Sequence, residues 1–567
     1  MSRTVGTSGT TSTIISQGKR RALFARLPYF VATTVVAIVL TAGGLDDDDS
    51  GSRGLIIAVA ILCRLLIWVH DHIINLDSPR TIEHLPAVPG WPVVGNLLQL
   101  GCTHAFTYVR WGKVYGPVFQ IRLGCKRLVV ANSYHSAKEL WVDNMTANAS
   151  RPLSYTFHKV VSSTQGLTIG TTPWGDSYKR KRKVAGAALN KPAIRSYLGI
   201  IDAESSYCIR LMTQSYLGAT ADECEMEIHS FFRTYALNTS LSLNYGTRLD
   251  EIQQSTIQEI INVEKQVSRF RSTVHSYQDY LPFLRVFGNS LAQETRARRD
   301  RYMDMLLNKL KQEIATNTDR SCITGRILKD PNNAKVTEDE LKSICLTMVS
   351  AGLDTVPAML IYFIGHMSQP GYGQEIQQAA HREIRTAYPD DPWNDCLDDN
   401  RMNVYIKALV HETLRFGAMP ISLPRETIRE IHYQGATIPP GTILTLNTFA
   451  ANFDSARYSE PYRFDPTRFI DPDGAKFISQ PGPLHFAFGA GSRMCAGASL
   501  VERELYTAVV RLITAFQFLP PASPHDRMPT DPFVIFKGQN SLAVDPPKFK
   551  VRIVPRDLPQ LQSWLGG

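Results

Sequence analysis

The run FGAGSRMCAG (488–497) holds one cysteine, Cys495, and leads directly into ASLVERELYTAVVRLITAF. A thiolate is a nucleophile, a disulfide half or a metal ligand, and its neighbours decide which. Gly489, Gly491 and Gly497 remove side chains, so something large and flat can lie against the backbone. Arg493 places a fixed cation two residues before the sulfur, suited to a carboxylate or phosphate. Phe488 adds an aromatic ring able to shield the sulfur from water. The stretch that follows has the apolar spacing of a long amphipathic helix. Backbone N–H groups at its start can point at Cys495 and stabilise the anion. A flat ligand with acidic edges, carrying a metal that takes thiolate, describes haem. The competing reading is a glycine-rich turn with an ordinary cysteine. It has to explain five fixed positions in Phe-x-x-Gly-x-Arg-x-Cys-x-Gly.

At these residues the chain resembles the haem-ligand loop of cytochrome P-450 enzymes. The resemblance implies haem b with Cys495 as axial ligand, contacted by Phe488, Gly491, Arg493 and Gly497. It also implies a mainly α fold with a small β-sheet, and further motifs upstream in a set order. VHETLRFGAMP supplies Glu412 and Arg415, three apart and therefore on one helix face. EPYRFDPTRFI adds Phe464, Pro466, Arg468 and Phe469, with Thr467 where the family usually has glutamate. By resemblance, Glu412, Arg415 and Arg468 form a buried ion-pair triad that specifies the fold of the cysteine loop. Such pairs are poor net stabilisers but costly to break.

The apolar helical run LKSICLTMVSAGLDTVPAMLIYFIGHMS (341–368) contains Ala351, Gly352, Asp354 and Thr355. A hydroxyl beside a carboxylate can relay protons from solvent into a dry pocket, and dioxygen cleavage requires two of them. Asp354 and Thr355 are the catalytic candidates; an Asp–Thr pair making only a local backbone bond is the alternative. Val356 stands where the family usually has a second hydroxyl. Pro357 cannot donate to the Leu353 carbonyl and disturbs the helical ladder beside the pair.

Haem carboxylates need cations. Arg493 is one, and Arg425 in ISLPRETIRE matches the arginine that follows the charged-pair helix in this family. A further one normally lies four residues after a tryptophan, and TPWGDSYKRKRKVAGAALN permits two alignments. With Trp174 as the match, position 178 is tyrosine and the arginine is missing. With Tyr178 in the tryptophan's place, Arg182 is the clamp, and the distance to the following ALN is also met. Most of the run Lys179 to Lys183 reads as a solvated basic face.

Length alone would suggest several domains, but the motifs stretch from about residue 174 to 497, so one large domain fills most of the 567 residues. Nine cysteines without paired spacing argue against a disulfide framework and for a reducing compartment. The Asn-x-Ser/Thr sites at Asn144, Asn148 and Asn238 would then go unused. Residues 1–80 carry eight Lys/Arg and six Asp/Glu, leaving +7 of the +9 net charge beyond them, a surface that could attract an acidic redox partner. Nucleic acid is the alternative partner for such a surface, and no recognition motif supports it.

LPYFVATTVVAIVLTAGGL (27–45) is an uncharged stretch close to the ~20 residues that span a bilayer. Basic residues precede it and Asp46 to Asp49 follow, which places the tail in the cytosol. GLIIAVAILCRLLIWV (54–69) can return the chain, with Arg64 snorkelling, or can lie in the interface. A cleaved signal peptide fits less well, because a second apolar segment follows. The expected layout is a cytosolic tail (1–22), a membrane anchor (23–78) of one or two hydrophobic segments, and a catalytic domain (79–567) on the cytosolic face of the endoplasmic reticulum. LPAVPGWPVVGN (85–96) is a stiff linker.

Apolar spacing predicts helices at 134–146, 194–218, 251–267, 290–316, 337–368, 373–387 and 401–416. Short strands are expected at VFQIRL, RLVVA, TILTL and FKVRIV.

Within the superfamily, SAGLDTVP, GAGSRMCAG, KRKRK and KFKVRIVPRD resemble fungal phenylacetate hydroxylases. This implies a small aromatic substrate, an aryl acid or a tyrosine-derived metabolite. It also implies insertion of one oxygen atom, with electrons from NADPH through a reductase. Substrate contacts in this family fall at Met348, Ser350, Ala351, Ile421, Ser422 and Leu542. Oxidative phenol coupling is the alternative within the oxygenases. A haem-thiolate isomerase or peroxide user would not need the Asp354–Thr355 relay, and a haem sensor would need no reductase.

Overall fold

The computed structural model describes Ile61 and residues 81–566 except 165, 219–224, 249, 251, 253, 272–275, 332–335, 419–420, 479–481 and 539–545. The expected tail, the anchor apart from Ile61, and the substrate-contact candidate Leu542 lie outside the described residues.

Helices dominate, as expected. Those that bear on the site are α1 (Asp176–Ala188), α2 (Leu198–Leu217), α3 (His229–Tyr245), α4 (Gln254–Phe270), α5 (Ser290–Ala315), α6 (Glu338–Met367), α7 (Tyr372–Ala387), α8 (Val404–Gly417) and α9 (Ala498–Ala515). The strands are β1 (Val118–Leu123), β2 (Lys126–Ala131), β3 (Glu225–Met226), β4 (Arg425–Glu426), β5 (Ile431–Tyr433), β6 (Ala436–Ile438), β7 (Ile443–Leu446), β8 (Phe516–Leu519) and β9 (Val551–Pro555). All four expected strands are present. Helix α3 was not expected, because it is buried on nearly every side and so shows no apolar stripe. The stretch expected as one helix at 134–146 is a short α-helix, Tyr134–Lys138, continued by a π-helical turn of wider radius at Glu139–Asp143.

The longest helix, α6, starts where Thr337 and Glu340 cap each other. The Thr337 hydroxyl accepts the Glu340 N–H at 3.2 Å, and the Glu340 carboxylate accepts the Thr337 N–H at 3.3 Å. Glu338, Asp339 and Glu340 suit the positive end of the helix dipole. The helix runs on through Pro357. It is apolar enough to cross a membrane, yet 56% of its most apolar window is buried inside the domain, as befits a core helix.

Two cores form along α6. Its N-terminal part packs with α3, α4 and α5, and its C-terminal part packs with α2, α7, α8 and α9. Between them, residues 350–355 are only partly covered, whereas every residue from Val356 to Met367 is buried. That gap in burial marks the place where the helix faces a cavity.

The larger sheet has the order β1–β2–β7–β4. β2 and β7 run parallel, and β7 and β4 antiparallel with Arg425 opposite Leu444. A bridge from Ser150 to Glu426 extends this edge, so Arg151 comes to lie beside Arg425. A smaller sheet joins β3, β9 and β8, and β5 pairs with β6.

Candidate active site

The cysteine loop is held by its own backbone. The Cys495 N–H donates to the Phe488 carbonyl at 2.9 Å, Gly489 donates to Phe486 at 2.9 Å, and Met494 donates to Gly491 at 3.0 Å. Gly491 has φ +61°, and a Cβ there would collide with the Trp141 carbonyl, so glycine is required. Helix α9 starts three residues after the cysteine. The exposed surface of Cys495 opens on an internal cavity. Burial pushes its thiol up, opposed by the Gly497 N–H and the nearby Arg182 cation.

The cavity measures about 390 Å³, within the range of small-molecule sites, and its wall is mostly apolar. Phe488, Gly489, Arg493, Cys495 and Gly497 line it from the loop, and Met348, Ser350, Ala351, Asp354 and Thr355 line it from α6. Ser422 also lines it, whereas Ile421 lines a second, smaller cavity. The Thr355 hydroxyl donates to the Ala351 carbonyl at 2.7 Å. Its oxygen remains able to accept. Ser350 is engaged as well, accepting from Arg299 at 2.9 Å and donating to Glu264.

Five arginines line this cavity, four of them near the cysteine loop, and among the described residues none of the five is ion-paired to a carboxylate. Arg493 donates to the carbonyls of Ala149, Ile169 and Thr172 and lies 3.7 Å from the Tyr178 ring centre. Arg425 donates to Asn148 at 2.7 Å and to the Ala490 carbonyl. Arg151 donates to the carbonyls of Leu423 and Pro424. Arg182 donates to the Met494 carbonyl at 2.8 Å, inside the cysteine loop. Burial lowers Arg493 to about 10 and, with the Arg493 charge nearby, Arg425 to about 9. Arg151 is driven well down by burial and by both neighbours. Tyr178 and Arg182 line the cavity, while Trp174 stands 43% exposed.

Within the basic run, Lys181 departs from the solvated face expected for most of it. It is buried and donates to the Leu167 carbonyl at 2.6 Å and the Thr172 hydroxyl at 2.7 Å. Burial lowers it to about 8. Asn148 and Asn238 are buried too, which makes them unsuitable as modification sites.

Under the loop, Arg415 holds both oxygens of Glu412, and Arg468 Nε donates to Glu412 at 3.1 Å. The Asp465 N–H adds a further donor at 2.8 Å. Thr467, in place of the usual glutamate, bonds Asp465 at 2.6 Å instead. Arg415 also donates to the Asn452 carbonyl at 2.8 Å, and the Asn452 side chain accepts the Phe486 N–H at 2.9 Å. The triad is thereby wired to the first turn of the cysteine loop.

Residues 86–549 match the cytochrome P-450 family profile. The chain belongs to the cytochrome P-450 family. It is 46% identical to the phenylacetate 2-hydroxylase of Emericella nidulans over 517 residues, covering 90% of this chain and 96% of that protein. It is 36% identical to the 3-hydroxyphenylacetate 6-hydroxylase of the same organism, covering 88% and 94%. It is therefore a cytochrome P-450 monooxygenase, and membership implies a haem with an axial cysteine thiolate, a redox partner and a small substrate.

The residues present fit that cofactor. Cys495 offers sulfur to the cavity from a glycine-lined loop. Among the described residues, Arg151 and Arg425 each keep a buried Nε with no acceptor, beside two further cations that lack carboxylate partners. Such a cluster is self-repelling until an anion enters, and haem brings two carboxylates. Sequence reading missed Arg151. Its position depends on a bridge between segments 276 residues apart, and the only local signal was an arginine held extended before Pro152.

Proposed function

We propose that this cytochrome P-450 hydroxylates a small arylacetate-type acid on its ring, using electrons from NADPH delivered by a reductase. The observation that carries the reading is the 46% identity, over nearly the full length, to a phenylacetate 2-hydroxylase. The mostly apolar wall of the cavity, which haem would share with the substrate, supports an aromatic ring as the substrate group.

Bound haem supplies dioxygen activation and transfer of one oxygen atom, the other leaving as water. Cys495 would hold its iron, with Phe488, Gly491 and Gly497 shaping the loop around the sulfur. Arg151, Arg182, Arg425 and Arg493 would hold its carboxylates, and Glu412, Arg415 and Arg468 keep the loop in place. Thr355 presents a hydroxyl oxygen to the cavity and passes a proton inward, and Asp354 restores that proton from the solvent side. The partly covered stretch 350–355 of α6 supports this pairing.

The charge pattern around 27–45 and 54–69 supports a cytosolic tail (1–22) and a membrane anchor (23–78). The catalytic domain (79–567) would sit on the cytosolic face of the endoplasmic reticulum, where a reductase can dock. The test is a membrane preparation supplied with NADPH, reductase and a panel of arylacetates, with products identified by mass spectrometry. NADPH-dependent ring hydroxylation is the expected result. A preparation with intact haem–thiolate absorbance and no hydroxylated arylacetate would refute the reading.

A further inference from the structure

Arg271 follows the last residue of α4 and lines both the main cavity and the adjoining cavity of about 160 Å³. Its guanidinium carbon lies 4.6 Å from the centre of the Phe157 ring. Its Nε is buried with no acceptor, and among the described residues the side chain makes no hydrogen bond and no ion pair. Leaving a buried guanidinium without an acceptor is costly, so the site is incomplete as it stands.

The surrounding charges do not complete it. Glu264 is already saturated: Arg299 donates to both its oxygens at 2.9 and 3.1 Å, and Tyr302 and Ser350 donate their hydroxyls. Arg299 repels Arg271, while Glu264 and Asp354 favour its charge from beyond ion-pair distance. With burial as the largest effect, Arg271 falls to about 10 and stays a cation at neutral pH. It is coupled to Arg299, Glu264 and Asp354 and lowers His158, and no coupling links it to Arg151, Arg425 or Arg493, although Arg151 shares the smaller cavity with it. Arg271 therefore stands toward the Glu264–Asp354 side of the cavity, apart from the arginines that bond the cysteine loop and its neighbours.

We infer that Arg271 is the anchor for the substrate carboxylate, gripping the acid group of an arylacetate while the ring lies in the apolar cavity. The inference rests on the arylacetate reading above and adds the residue that selects the acid. A guanidinium offers two parallel donors to a carboxylate, and the site is shielded from water, which strengthens both bonds. Phenylacetamide has the same shape without the charge, so its carbonyl can accept a hydrogen bond from this group but gains no charge-paired fork.

The test uses the haem-loaded protein and the change in its Soret band on ligand addition. Dissociation constants would be measured for phenylacetate and phenylacetamide with wild type, Arg271→Gln and Arg271→Lys. Arg271→Gln should weaken phenylacetate binding roughly 30- to 100-fold, as expected for a lost charged hydrogen bond. It should shift phenylacetamide by less than about threefold. Arg271→Lys keeps the charge and loses the fork, so its acid-to-amide ratio should lie between the two. Haem content and the thiolate spectrum should not change, since Arg271 stands outside the clamp. If wild type binds arylacetates and both variants keep its acid-to-amide ratio, Arg271 is not the anchor, although the arylacetate reading survives. If wild type binds or oxidises no arylacetate, both ideas fall. Should Arg271→Gln not retain haem, the ratio in Arg271→Lys decides: an unchanged ratio overturns the inference and a lowered one supports it.

Discussion

Arg415 grips Glu412 through two hydrogen bonds, 2.7 Å to one carboxylate oxygen and 2.8 Å to the other, with both side chains wholly buried. Removing one charge strands the other, at a cost of about 3–5 kcal/mol. The route from Arg415 through Asn452 to Phe486 carries the damage to the cysteine loop. Glu412→Gln should therefore lower the denaturant midpoint and also reduce the red-shifted Soret band of the reduced carbon monoxide complex. Retention of both would show that the triad does not hold the loop.

Arg151 is a second place to test, because it is crowded by Arg425 and Arg493. Arg151→Gln relieves that repulsion while removing one donor from an entering carboxylate. Release of haem to apomyoglobin should become about tenfold faster or more, on the scale of a charged hydrogen bond. Secondary structure followed by circular dichroism should be preserved. An unchanged release rate would place haem carboxylates away from this residue.

These two sites differ in how far they were legible from sequence. The Cys495 loop and the Glu412–Arg415 pair are recognisable because backbone geometry demands glycine at fixed offsets and a helix puts residues three apart on one face. Thr467 stands at the motif's usual glutamate without disturbing the triad, because Glu412 accepts from Arg415 and Arg468 directly and Thr467 bonds Asp465 instead. Arg151 acquires its neighbours only through the Ser150–Glu426 bridge, which no local spacing encodes. Helix α3 escaped because its residues Ala236 to Tyr245 are all buried, which erases periodicity. Lys181 and Arg271 look like ordinary surface cations until packing encloses them.

Acid should find a weak point at His366. This buried ring stacks on Phe464, with centroids 4.2 Å apart, and meets the Tyr372 hydroxyl at 2.9 Å. Burial, with help from the Arg415 cation, pulls it from 6.5 to about 3. The unfolded chain then binds a proton that the folded chain refuses, so stability is full above pH 6.5 and is lost as pH falls toward 3. Between pH 7 and pH 5 this one group costs the wild type about 2 kcal/mol. His366→Phe should be the less stable protein at pH 7, through the lost Tyr372 contact, and the gap should close by about that amount at pH 5. Denaturant midpoints at the two pH values measure it. A gap that does not depend on pH would mean that His366 titrates normally.

Thr355 should matter to the fate of electrons more than to folding. Among the described residues its hydroxyl donates only to the Ala351 carbonyl of its own helix, and the side chain borders open cavity, so Thr355→Ala removes little packing. Haem content, the thiolate spectrum and ligand binding should persist. Without the hydroxyl the proton path into the cavity is broken, so NADPH oxidation continues while hydrogen peroxide is released and product falls. Product formed per NADPH oxidised should drop about tenfold or more, less than the ~10²–10⁴-fold of a fully engaged acid or base because water can stand in for part of the lost hydroxyl. Thr355→Ser should restore most of it, because it returns the hydroxyl alone. Asp354→Asn should slow product formation as well, and with Arg271 a cation in both proteins, loss of the nearby negative charge should tighten binding of the acid more than of the amide. Thr355→Ala with the wild-type ratio of product to NADPH would place the relay elsewhere and leave Thr355 as a helix residue with a local backbone bond.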